Sequence, residues 1–164
     1  MAVAVDTQGG EAPARFARQV EGAFPVLVDA EGLLAQTFGF RAIPNGLLVG
    51  PDGVVDAVVA GGFDVRRAET RSLIDEWLDG QSIPLFEPDE SSWSPEVRRL
   101  FHGAVEALRR KDRPEAIKLL ATAFSLERDN YIIRKQLWAI EHPERFYDGA
   151  IDRDWQRQQL EQGR

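Results

Sequence analysis

Over the first 80 residues the spacing of apolar positions switches repeatedly between two periods. Residues 2–5 are a short apolar run ended by Asp6-Thr7-Gln8-Gly9-Gly10, the pattern of a buried strand and its loop. Residues 11–21 permit a helix, with Phe16, Ala17 and Val20 at helical spacing. Pro25 opens a second apolar run, Val26-Leu27-Val28, closed by Asp29, and Leu33, Leu34, Thr37 and Phe38 predict a short helix stopped by Gly39. Two strands follow, over 47–49 and 54–59. Gly50-Pro51-Asp52-Gly53 joins them, a tight-turn signal in which Pro presets φ and Gly accepts φ > 0. Gly61-Gly62 breaks the second strand, and Asp64 is placed to cap a last helix whose face is Leu73, Ile74, Trp77 and Leu78. The order β-α-β-α-β-β-α predicts an α/β unit: helices packed on one mixed, mostly parallel sheet with an antiparallel edge.

Residues 80–95 keep neither period and carry three prolines, so they predict a linker, with Phe86 and Trp93 able to pin it to a surface. Beyond it the chain reads as helical throughout. Ser94 caps and Pro95 takes the first helical position, ahead of an apolar stripe from Val97 through Leu100, Phe101, Ala104, Val105 and Leu108. Asp112 and Glu115 are spaced as a capping box for a second helix bearing Ala116, Ile117, Leu120, Ala121 and Phe124. A third helix starts near Asn130 and stops before Pro143, and Asp152 caps a short closing helix with Trp155 and Leu160. The expected organisation is an α/β part over 1–79, a linker over 80–95 and a small all-α part over 96–164.

Composition narrows the chemistry. The chain has 164 residues, no cysteine and a net charge of −7. Without a thiol it has no disulfide framework, thiolate metal site or sulfur nucleophile of its own. The acidic excess sits in residues 1–80, with 6 basic and 12 acidic side chains against 14 and 15 in the remainder. A first half of that sign repels a phosphate backbone, which argues against nucleic acid as partner. No apolar run is long enough to cross a bilayer, and no charged leader precedes an apolar stretch, so the expectation is a cytoplasmic protein without membrane contact.

Several segments, in order, resemble the later part of a thioredoxin-like domain of the redoxin type, seen in thiol-disulfide oxidoreductases and thiol peroxidases. Val3-Ala4-Val5-Asp6 resembles the strand after the redox helix. Phe24-Pro25-Val26-Leu27-Val28-Asp29 with Gly32-Leu33-Leu34-Ala35 resembles the family's insertion. Residues 38–45, ending Ala42-Ile43-Pro44-Asn45, are similar to the approach to the family's cis-proline, and residues 47–55 to its closing hairpin. The resemblance implies an incomplete thioredoxin-like fold over about half the chain. It also implies that Ile43 offers its backbone to an extended peptide, with Pro44 holding the bend and Asn45 beside it. Two readings stay open at this loop: a docking element, or an element of the fold alone.

The departure is as informative as the match. The family's first core strand, the helix after it and the cysteines on that helix have no counterpart here. That strand is central in the family's sheet, so its loss predicts unpaired edges. The segments then close on one another, or a partner supplies the strand, or a cysteine-bearing segment lies upstream of Met1. Three functions follow: a non-catalytic protein- or peptide-binding module, the C-terminal portion of a thiol-disulfide oxidoreductase, or an inactive scaffold that completes its sheet as a homodimer.

Residues 97–130 resemble one tetratricopeptide-type helical hairpin, with Ala104, Ala116 and Ala123 at its small positions and Arg128 where a proline is expected. A single repeat cannot bury its own face, so the third helix, the linker or the first half must cover it. His102 and His142 have no second ligand at metal spacing, and no phosphate-cradling or nucleophile-elbow pattern occurs. Glu115, Glu127 and the aspartates read as caps and solvated faces, Arg109-Arg110-Lys111 as a helix C-terminus. No catalytic residue, metal or cofactor is expected.

Overall fold

The computed structural model describes residues 1–20, 22–81 and 93–163. Phe86 and most of the expected linker therefore lie outside the described residues. The chain is mixed α/β: β1 (Ala2–Ala4), α1 (Glu11–Gln19), β2 (Val26–Val28), α2 (Leu33–Phe38), β3 (Gly46–Val49), β4 (Val55–Val59) and α3 (Ala68–Leu78), then α4 (Pro95–Arg109), α5 (Arg113–Leu126), α6 (Tyr131–Glu141) and α7 (Arg153–Glu161). A single 3-10 turn, Pro143–Arg145, separates the last two.

One expected feature is overturned. Among the described residues the strands do not form a single mixed sheet: β1 pairs in parallel with β2, β3 pairs antiparallel with β4, and no ladder joins the two pairs. The reason is visible at the edges. Ala2 N–H donates to Pro25 and Ala4 C=O accepts from Asp29, so these residues face β2. Successive residues of a strand face opposite edges, and on the other edge Val5 C=O takes a hydrogen bond from the Gln136 side chain of α6 at 3.0 Å. Thr7 donates its N–H and its hydroxyl to the same carboxamide, both at 2.9 Å. A helix side chain thus satisfies main-chain groups that a neighbouring strand would satisfy in a continuous sheet.

The β3–β4 ribbon is built on the expected turn. Gly53, at φ 83°, donates to Gly50 C=O and Gly50 donates to Val54 C=O, which reverses the chain in five residues. Leu48 and Ala57 pack on Leu73, Ile74 and Trp77 of α3, while Leu47 and Val58 pack against the helical core. The ribbon is therefore covered on both faces, and the helical half supplies one cover. Asp64 does not cap α3. Its carboxylate is drawn to the backbone and guanidinium of Arg66, which holds its pKa at about 2, and the N-cap position falls to Arg67, which gives no side-chain cap.

In the helical half the N-cap residues act as their sequence suggests, but the expected Asp112–Glu115 capping box is only half made, because Asp112 N–H donates to Ala107 C=O and the Glu115 carboxylate accepts from Lys118. Ser94, Asp112, Asn130 and Asp152 each accept from the backbone N–H three residues on. Ala104, Ala116 and Ala123 are fully buried, which lets α4 and α5 approach closely. The main apolar core crosses the seam: Trp93, Val97, Phe101, Leu120 and Ile133 share it with Ala35 of α2 and Phe40.

A second, polar joint ties residues 6–15 to 136–149. The Asp6 carboxylate is buried and accepts from the Tyr147 hydroxyl at 3.1 Å and from Gln8 N–H at 2.9 Å. Burial pushes the Asp6 carboxyl above its ordinary range, the hydrogen bonds only partly offsetting it. Tyr147 is likewise pushed up, by burial first and then by the neighbouring carboxylate. The Arg15 guanidinium holds the carbonyls of Phe146, Tyr147 and Gly149.

Candidate functional site

The segment from Phe40 to Asn45 enters β3, and nearly every residue in it is tied down. Trp93, buried in the core, donates its indole N–H to Phe40 C=O at 2.9 Å. Arg41 C=O accepts from Ile132 N–H at the start of α6 at 3.2 Å. The Arg41 guanidinium reaches Glu127 at 3.1 Å and Asp129 at 3.0 Å. Asn45 donates its side-chain N–H to Ala42 C=O and accepts from Gly61 N–H, both at 2.7 Å. Pro44 C=O accepts from Phe63 N–H at 3.2 Å. The Ile43–Pro44 peptide bond is cis.

Ile43 is the exception. The residue is 50% exposed, and among the described residues neither its N–H nor its C=O meets a hydrogen-bond partner. A residue with a fixed backbone, an apolar surface and open main-chain groups is a ready place for an extended chain to add. The edge of β3 away from β4 carries no strand among the described residues.

Gly46 fixes the exit from the loop. A Cβ there would lie 2.2 Å from the Phe63 ring, so only glycine lets Phe63 close over the start of β3. Two cavities, of about 310 Å³ beside Thr7 and Arg109 and about 440 Å³ beside Trp138 and His142, are lined by none of Ile43, Pro44 and Asn45.

Ile43, Pro44 and Asn45 thus occupy one loop, in which Asn45 is structural and Ile43 alone is open. The residues that make the loop rigid were not legible in the sequence. Glu127, expected as a solvated charge, has a side chain only 10% exposed and accepts from Arg41, Ser94 N–H and Asn130. The faint signal was Arg41 itself, the lone basic residue between Arg18 and Arg66. Among the described residues no cluster of His, Asp or Glu could hold a metal ion, and no helix is long and apolar enough to cross a membrane. His102 is exposed, and His142 lies edge-on to Trp155 with Glu144 at 3.6 Å.

Compared with protein-family models, with curated proteins and with solved structures, the chain matches none of them.

Proposed function

We infer that this chain is a non-catalytic peptide- or protein-binding module: a thioredoxin-like protein without redox cysteines that receives an extended segment at Ile43. The observation that carries this reading is the contrast at the loop, where Ile43 is open in both backbone and side chain while its neighbours are bonded. The absence of cysteine removes thiol exchange by this chain itself. Binding remains because it needs only the pre-set backbone and an apolar contact. Titration of the isotope-labelled chain with a neutral valine-rich heptapeptide tests it by nuclear magnetic resonance. Amide shifts should concentrate at Ile43, Asn45 and Phe63, and Ile43→Ser should weaken them. Shifts spread evenly over the surface, or none at millimolar peptide, would reject the reading.

A second reading is a scaffold that completes its sheet with another copy of itself. It is favoured by the β3–β4 ribbon, whose outer edges carry no strand among the described residues, whereas the free edge of β1 is already met by Gln136. Light scattering decides it: a folded species at 18.4 kDa removes pairing between copies, and a species of twice that mass supports it.

A further inference from the structure

Resting on the docking reading above, we propose that the site extends from Ile43 onto the corner between α5 and α6, and that its occupant carries a lysine or arginine that meets Asp129. The loop and the corner are one surface, because Arg41 joins them twice. Its carbonyl holds the first turn of α6 and its guanidinium spans Glu127 and Asp129.

The two carboxylates differ in availability. Glu127 is spent: nearly buried, it already accepts from Arg41, Ser94 N–H and Asn130. It balances the charge of Arg41. Asp129 shares Arg41 yet keeps a side chain 72% exposed, so one face of an anionic group is open to a further cation. Leu126, an exposed large side chain on the same corner, gives apolar ground beside it, and the half-exposed Tyr131 ring, with the Arg134 guanidinium over it, adds its free edge. An extended segment with a small apolar residue at Ile43 and a basic residue a short distance along therefore finds contact, main-chain hydrogen bonds and complementary charge. An acidic segment, or a second copy of a chain whose net charge is −7, meets charge of its own sign. The selectivity is modest, since an exposed ion pair in water contributes about fivefold or less in affinity.

The test uses the full chain and pentapeptides with a three-valine core followed by a Lys-Lys, Ser-Ser or Glu-Glu tail, the basic pair also placed at the other end so that either chain direction can be read. Dissociation constants come from the amide shifts. The better-placed basic peptide should bind about fivefold tighter than the serine peptide and the glutamate peptide more weakly. Asp129→Asn should abolish the basic advantage while leaving the serine peptide's affinity unchanged, and about 0.5 M salt should do the same. Equal affinities of basic and serine peptides in the natural chain, or a basic advantage that survives Asp129→Asn, would overturn the extension and leave docking at Ile43 standing. If no peptide binds, or Ile43→Ser changes no affinity, the docking reading itself fails and this extension with it.

Discussion

Trp93, Phe101 and Ile133 are at most 1% exposed and share one core, whereas Leu27 of β2 is 51% exposed and its neighbours Val28, Phe24 and Phe16 are also open to solvent. The helical half holds itself together by burying large side chains against one another. The corner made of β1, α1 and β2 buries little apolar surface and relies on hydrogen bonds to α6 and to the segment after it. Burial is non-directional and tolerates small shifts, but a buried polar joint works only when each group finds its partner. The same molecule therefore has a robust part and a part whose order is borrowed.

The largest separation between the two should come from truncating core and corner side chains in parallel. Ile133→Ala should lower the unfolding free energy in urea by about 3–4 kcal/mol, in the range of fully buried large-to-small changes. A loss below about 1 kcal/mol would mean the core is looser than its burial implies.

Next in size is the joint itself. Gln136→Met keeps the volume but leaves Val5 C=O and Thr7 N–H without the carboxamide, a cost of about 1–3 kcal/mol. Hydrogen exchange should quicken at the Thr7 amide while the α4 amides stay protected. Unchanged exchange at Thr7 would show that α6 does not hold the β1 edge.

A smaller effect depends on pH. Because the folded-state pKa of Asp6 is raised by burial, the folded chain binds this proton more tightly than the unfolded chain does. The associated stability is present below the ordinary carboxylate value of 3.8 and is lost as pH rises through the raised value. Asp6→Asn, which mimics the protonated form, should therefore raise the melting temperature at neutral pH and have little effect near pH 3. A variant less stable at neutral pH would show that the charged carboxylate is favoured by Tyr147 more than burial penalises it.

Least of all should come from Leu27→Ser, expected within about 0.5 kcal/mol of the natural chain by urea unfolding. A cost of several times that would mean the exposed face of β2 is covered in solution, which would sharpen the case for pairing between copies.

What the sequence made legible follows distance along the chain. The Gly50–Gly53 turn and the caps at Ser94, Asp112, Asn130 and Asp152 involve residues within a few positions of each other, so composition and spacing suffice to find them. Asp64 shows the limit of that rule: the cap signal was sound, but Arg66, two residues on, competed for the carboxylate. The β3–β4 pairing was legible through its turn, but the separation of β1–β2 from that ribbon was not, since alternation identifies a strand without naming its neighbour. At the candidate site Ile43, Pro44 and Asn45 stood out through a family resemblance, while the residues that immobilise them did not. Arg41 and Glu127 are 86 positions apart, and an isolated Glu at a helix end looks like any solvated charge until the fold delivers its partners.

The polar joint also has a consequence for biosynthesis. Thr7 waits for Gln136 and Asp6 for Tyr147, separations of 129 and 141 residues. Contacts of that span close late, and synthesis runs from the N-terminus, so β1 leaves the ribosome well before the α6 residues that hold its edge. Until α6 emerges, the edge of β1 is without the carboxamide that later covers it, and a nascent chain halted before residue 136 would expose that edge to whatever extended segment is nearby.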